Sequence, residues 1–376
     1  KPSTKANPFR LSSGNNTMGS FMRKKHAWFL IALILTACSS PISGQSGGSM
    51  DSKALSTLKL SSILFNKLYA GKNVSFEGAN LVDCAISGAN LSGVSFKNAK
   101  FFKAAFRKCN FTGADFSGAN MASSGFLTCK MEGVKFLGAK ARMIKFVECE
   151  MTGSDFSGAE IDSPLFEQTD ISESILNHIR FKEPIFYKSE IQNCQIKNST
   201  LTDVVVNDSN FIESDLTATR MQGEILESSH FGDCILTGAD FSNSVLKGRL
   251  WSNPSFLNAK AKNIKFRKCR FYFVSMGDAD LENADFSDSE IELLDAQSAN
   301  LKQVNFTKSL FSGANFGSSD LTNADFSDSI FRMHLMLRGA NLHGIILKNV
   351  EFRKDFEVDL LETIYEGKSL PAEFRK

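Results

Sequence analysis

From Phe76 to Met336 every fifth residue is a large apolar side chain, apart from the small Ala141, Ala261 and Ala296. The run covers 53 positions, all with numbers ending in 1 or 6. Two residues before each lies a second fixed position, which holds Ala, Ser, Cys, Thr or Val in 43 of its 53 occurrences. A period of five matches neither the 3.6 of a helix nor the 2.0 of a strand. Each pentad must therefore be its own unit of strand plus corner, and the chain must wind as a solenoid.

In a short extended stretch, residues two apart face the same side. The large residue, called here the centre, and the small residue before it therefore both point inward. The other two residues must turn the chain, and the second of them is Gly 13 times, with Asn, Asp and Ser frequent elsewhere. These residues tolerate the positive φ that a tight corner requires. Phe fills 25 of the 53 centres, so stacked coils should carry internal ladders of rings.

Runs such as Ala79-Asn80-Leu81, Ala89-Asn90-Leu91, Ala114-Asp115-Phe116, Ala239-Asp240-Phe241 and Ala324-Asp325-Phe326 resemble the pentapeptide-repeat family. The resemblance covers residues 74–352 and implies an all-β fold, a right-handed quadrilateral parallel β-helix with four pentads per coil. Fifty-three pentads then make about 13 coils, a rod of roughly 60 Å at about 4.8 Å per coil. Pro164, Pro184, Glu224, Arg249 and Pro254 interrupt the small position and predict local bulging. After Met336 one residue is inserted before the beat resumes at Leu342, Leu347 and Phe352, which predicts a kink or loop near Leu337–Gly339. Short helical caps are expected at both ends, because an uncovered end coil exposes unpaired strand edges. They are placed at 54–73, where Leu55, Leu58, Phe65, Leu68 and Tyr69 recur, and at 353–376, where Phe356, Leu360, Leu361 and Ile364 do.

Residues 22–37 have the build of a secretory signal: the basic start Met22-Arg23-Lys24-Lys25, then a short apolar run from Ala27 to Leu35. Leu35-Thr36-Ala37-Cys38 resembles a bacterial lipobox, which implies cleavage before Cys38 and its lipidation. Ser39 after it implies the outer membrane, facing the periplasm. Met22 is read as the start, with residues 1–21 excluded from the fold, and residues 38–53 as a lipidated Cys with a flexible Ser/Gly tether.

Net charge is +2, which suggests neither a nucleic-acid binder nor a strongly acidic DNA mimic. Besides Cys38, the seven cysteines all fall on the small inward position, which points to buried free thiols. No His, Cys or carboxylate spacing suits a metal site or a catalytic triad, and no phosphate loop appears. No cofactor, metal or catalytic residue is assigned.

Three stretches exceed the repeat in likeness: Phe96–Cys109, Phe136–Cys149 and Phe256–Cys269. Their offsets of 40 and 120 residues are whole multiples of twenty, which predicts one shared set of sides. Lys100, Lys140 and Lys260 would align on one side and Lys145 and Lys265 on the next. Arg107 with Arg267, then Lys108 with Lys268, would follow further round. This is a candidate docking stripe for an acidic partner or lipid headgroups; solvated lysines left by a duplication are the plainer reading.

The function expected from the sequence is a non-catalytic lipoprotein scaffold at the outer membrane, a subunit of a multi-protein envelope complex of the secretion or motor type. Its partners would be the membrane through Cys38 and envelope proteins, with no nucleic acid. A homo-oligomer through the C-terminal cap, as in some members of the family, is a further expectation. The rival readings are a topoisomerase-binding DNA mimic and a surface-exposed adhesin-like lipoprotein.

Overall fold

The computed structural model describes residues 59–60, 75–222, 225–248, 253–353 and 356–365. Over these residues the chain is a parallel β-solenoid. Each pentad contributes one strand or bridge, and residues twenty apart pair in register, as in Ala105↔Gly125 and Gly125↔Lys145. Four pentads therefore close one coil and define four faces. A 16-stranded parallel sheet follows one face from Lys59–Leu60 to Glu351–Phe352, joined at its end by Glu357–Asp359. A second face carries the sheet of Lys140–Arg142, Glu160–Asp162, Arg180–Lys182 and Thr200–Thr202. Of the other two faces, one pairs through single-residue bridges from Ser75 to Ile364 in fourteen steps, and the other through nine bridges from Asn90 to Ser275, after which the long strands from Arg270–Ser275 to Ile330–Met336 carry it on.

The hydrogen bonding shows why a five-residue word suffices. In one pentad, Phe76 N–H donates to Ser95 O at 2.7 Å and Gly78 N–H to Lys97 O at 2.7 Å, both in the next coil. Lys100 N–H donates back to Ala79 O at 2.9 Å. The small residue's N–H stays within its own corner, Ala79 to Phe76 O at 3.0 Å, as does Glu77 N–H, which donates to Ser75 Oγ at 3.3 Å. Proline at the small position therefore costs the ladder nothing. Pro164 and Pro184 are buried inward, their carbonyls accept from Ile185 and Val205 at 2.9 Å, and no bulge forms there. The expected bulging is corrected at these two positions, while Glu224 and Arg249 lie outside the described residues.

Every centre from Phe76 to Phe331 is buried, except Trp251, which lies outside the described residues. The Phe rings stack from coil to coil: Phe106, Phe126, Phe146, Phe166 and Phe186 lie 5.1, 5.3, 5.2 and 5.1 Å apart in turn. Burying each ring stabilises the coil by roughly 1.5–3 kcal/mol. Inward hydroxyls are satisfied by the coil below: Ser154 donates to Met131 O at 3.1 Å and Ser199 to Leu176 O at 2.7 Å. The corners take positive φ as expected, at Gly78 (65°) and Asn98 (57°), and also at the bulky Met143, Phe273 and Leu293.

Three departures from the beat matter. First, one coil holds 25 residues: His230↔Ser255, Ile235↔Lys260, Asp240↔Lys265 and Val245↔Arg270. Its five additional residues fall between Gly248 and Pro254. Second, the one-residue insertion lies in the strand Ile330–Met336, where the partner of Phe311 is Phe331 and that of Gly313 is His334. Inward positions then pass to Leu335 and Leu337, and Met336 is 49% exposed. The expected kink at Leu337–Gly339 is thus an earlier β-bulge, and Gly339 sits in an ordinary corner. Third, there is no helix among the described residues. Phe356, Val358 and Leu360 are half-buried while Glu357, Asp359 and Leu361 are exposed, a period of two, and Glu357–Asp359 pairs with His334–Met336. The coil continues through the expected C-terminal helix to the Asn341↔Ile364 bridge, beyond the expected boundary at 352. Lys59–Leu60, inside the expected N-terminal helix, is a strand pairing with Ala85 and Ile86; the rest of 54–73 lies outside the described residues, as do the signal, Cys38 and the tether.

Candidate functional surface

Outward side chains form columns along the solenoid, so coil register decides which of them are neighbours. Lys100, Asn120 and Lys140 share one column, as predicted, with Glu160 next. Lys145 stands on the following face, above Gly125, and Arg107 and Lys108 further round the same face and its corner. Lys260 does not join Lys100 and Lys140. It stacks on Ile235, in the column of Lys135 and Asp155, and it is Lys265, on Asp240, that continues the column of Lys140. Arg267 and Lys268 are displaced from Arg107 and Lys108 by the same one face. The 25-residue coil is the cause. An added pentad keeps the period of five and turns everything after it by a quarter of the circumference.

The third stretch also differs in its neighbours. Residues 260–270 carry six basic side chains and no acid; residues 278–295, the next coil, carry eight acids and no base. The two belts pair: Lys262 with Glu282 at 2.6 Å and Asp280 at 3.6 Å, Arg267 with Asp285 at 3.7 Å, Arg270 with Glu290 at 3.2 Å. The continuous docking stripe is therefore corrected to two separate basic regions, and the second faces an acidic coil that pairs Lys262, Arg267 and Arg270.

The recurring Asp before a centre serves its own corner. Asp115 accepts from Ser117 N–H at 2.9 Å, and Asp240 accepts from Ser242 N–H at 3.0 Å and its hydroxyl at 2.6 Å. Burial works to raise the Asp240 pKa, but the Ser242 and Gln222 hydrogen bonds and the charge of Lys265 hold it below the usual carboxylate range. Asp115, Asp215 and Asp320 are lowered by similar hydrogen bonds, each aided by a lysine, against the same opposition from burial. A Ser or Thr two residues after each Asp was the sequence sign of this role.

Cys84, Cys109, Cys129, Cys149, Cys194, Cys234 and Cys269 are buried and free. Burial pushes the thiols of Cys84, Cys194, Cys234 and Cys269 up to about 12. Among the described residues there is no cluster of His, Cys, Asp or Glu able to hold a metal ion, and no helix long and apolar enough to cross a membrane. A shallow depression of about 390 Å³ lies over Gly317 and Gly339 near the last coils, bordered by Gln297, Asn315, Arg338 and Glu362.

The family models agree with this geometry. A pentapeptide repeat region model matches residues 72–136 and 99–176, and a pentapeptide repeats (8 copies) model matches 208–248 and 295–332. The chain belongs to the pentapeptide-repeat family. No curated protein matches it significantly. Among solved structures, this pentapeptide-repeat protein is similar to QnrB1, a plasmid-mediated fluoroquinolone resistance protein. The identity is 16%, over 46% of this chain and 79% of that one, with a TM-score of 0.28. It is similar to HetL, involved in heterocyst differentiation regulation in the cyanobacterium Nostoc sp., at 16% identity over 82% and 98% with a TM-score of 0.18. It is also similar to the periplasmic alginate epimerase AlgG, at 10% identity over 77% and 76% with a TM-score of 0.30. At these scores none of the three bears on function. Families of this repeat generally serve structural and interaction roles.

Proposed function

We propose that this pentapeptide-repeat protein is a non-catalytic interaction scaffold, tethered to the bacterial outer membrane through a lipidated Cys38 and facing the periplasm. On this reading it is a subunit of a multi-protein envelope complex of the secretion or motor type. The observation that carries the scaffold reading is the internal ladder that the described centres form beneath long hydrogen-bonded faces. It makes a rigid shape, on which columns of outward side chains are held at fixed spacing. The lipobox Leu35-Thr36-Ala37-Cys38 supports the address. Exposed Met336, Leu361 and Ile364, at 49%, 54% and 60%, support an end contact with a second copy.

A topoisomerase-binding DNA mimic is the second reading. It draws on the acids stacked at Asp280 and Asp320 and at Asp285 and Asp325. Asn300 and Asn305 stand between them and donate to Asp280 and Asp285 at 2.8 and 3.0 Å, and cations of the preceding coil pair with both, so the acidic track is broken.

Fractionation and intact mass separate the two readings. The scaffold reading expects a mature chain starting at Cys38 with acyl groups, in the membrane fraction, and release of Cys38→Ser from that fraction. An unprocessed soluble protein that retains residues 1–21 would contradict it.

A further inference from the structure

The lower row of the first basic region, Lys100–Lys108, is not neutralised as the second region is, whereas its upper row, Lys140–Lys145, meets Glu160, Asp162 and Glu167 of the coil beyond. Residues 97–145 contain ten basic and two acidic side chains. Lys100, Lys103, Arg107, Lys108 and Lys145 form no ion pair among the described residues. In the second region the oppositely charged coil follows at once. Here the coil following Lys100–Lys108 is Asn120–Thr128, which carries no charge at all. Register places it between two basic rows: Lys100↔Asn120↔Lys140 on one face, Ala105↔Gly125↔Lys145 and Arg107↔Leu127↔Val147 on the next. Arg142 completes the upper row, paired on its far side with Asp162 at 3.5 Å, as Lys140 is with Glu160 at 3.5 Å.

The middle coil is also low. Its outward residues on these faces include Ala122, Ser123 and Gly125, between rows of long lysines and arginines. Gly125 has no backbone reason to be glycine: it lies in the strand Gly125–Leu127, without a positive φ, and a Cβ there would meet nothing within 4 Å. The two rows stand two coil spacings apart, about 9.6 Å. Phe102, 45% exposed with the Lys103 ammonium 5.1 Å from its ring centroid, lines the lower edge. The result is a trough one coil wide with Lys100, Lys103 and Arg107 along one wall and Lys140, Arg142 and Lys145 along the other, closed at its far end by Glu148, which accepts from Thr128 at 3.2 Å.

We propose that this trough binds an extended acidic segment of a partner protein. In an extended chain successive side chains alternate between opposite sides. A run of consecutive carboxylates laid along Asn120–Leu127 would therefore send alternate residues to the Lys103–Arg107 wall and to the Arg142–Lys145 wall. A flat lipid surface would meet the tips of the walls and leave the floor empty, so the low floor favours a single strand. The inference gives a partner chemistry to the interaction role and does not depend on the anchor. Its failure would leave acylation of Cys38 standing, and the reverse also holds.

The test is fluorescence anisotropy of a fluorescein-labelled octaglutamate peptide with the full chain. Vesicles of phosphatidylglycerol and phosphatidylcholine and a single-stranded oligothymidine serve as rival probes. The wild type should bind the peptide. Gly125→Leu, which fills the floor at an open strand position, should melt like wild type and bind about tenfold more weakly. Lys103→Glu with Arg107→Glu should abolish binding, and Lys262→Glu with Arg267→Glu should leave it unchanged. The inference is overturned if the peptide does not bind or if Gly125→Leu binds as wild type does. It is equally overturned if the second pair of substitutions weakens binding as much as the first, or if only vesicles or oligothymidine bind.

Discussion

Phe136–Cys149 and Phe256–Cys269 are near copies in sequence and differ in what they show to solvent. Both send their centres inward: Phe136 stacks on Phe116 and Phe156 at 5.4 and 4.5 Å, and Phe256 on Phe231 at 5.1 Å. Outside, they part. The 25-residue coil turns the second copy by one face, and the acidic coil above it pairs with its cations. In a solenoid the word decides what is buried, and the running total of coil lengths decides which words are neighbours.

The largest expected effect tests the shared half of that comparison. Phe136→Ala and Phe256→Ala should each cost about 3–5 kcal/mol in urea unfolding, because both open a cavity in a ladder. Phe136→Asp should cost more, since its carboxylate has no buried partner. A Phe256 variant that melts like wild type would show that the second copy is not wound as the first is.

The unshared half is tested by charge. Lys262→Glu places a carboxylate against Asp280 and Glu282, so it should lower the melting temperature at low ionic strength and recover at high salt. Lys103→Glu, with no acid paired to it, should raise the melting temperature slightly or leave it alone. Equal losses at both sites would remove the distinction between a neutralised and an open basic region.

Acid titration tests the new neighbours directly. Asp240 has a depressed folded pKa, so its contribution is present above the unfolded value near about 3.9 and is lost as pH falls through the folded value. Asp240→Asn should flatten the acid limb of the stability curve. Lys265→Met should raise the Asp240 pKa seen by NMR, and Lys260→Met should not. A shift with Lys260→Met alone would place Lys260 over Asp240.

The smallest effect concerns the corners. Phe273 holds φ at 56° and is 47% exposed, a conformation that costs a residue with a Cβ roughly 1–2 kcal/mol. Phe273→Gly should stabilise by up to about 1 kcal/mol, after the loss of chain entropy is counted. A clear destabilisation would mean that Phe273 packs against something its exposure does not suggest.

The burial pattern was legible because Phe76 through Phe331 repeat one word. The rotation was not, because twenty-five is as much a multiple of five as twenty, and Trp251 still falls on the beat. The single inserted residue did break the beat, but only after the fact: Met336 kept an apolar residue at the expected number while the strand had already shifted at His334. Phe356, Leu360 and Ile364 suggested a helix when Val358 was left out, and with it the alternation is that of a strand. The basic residues were found by likeness between stretches, yet their partners, Glu282 and Glu290, belong to another coil and carry no local sign of the pairing.

Register across the long coil is the claim on which the surface account depends, and paired cysteines read it directly. Asp240 and Lys265 should lie one coil apart, about 4.8 Å between Cα atoms, inside the roughly 4.4–6.8 Å range for a disulfide. Lys265 is exposed and Asp240 points outward beneath its Ser242 and Gln222 partners, so two shorter cysteine side chains there can turn toward each other. Under mild oxidation of the full chain, Asp240→Cys with Lys265→Cys should form a bridge and Asp240→Cys with Lys260→Cys should not. A bridge between 240 and 260, with none between 240 and 265, would restore the unbroken twenty-residue winding and contradict the account.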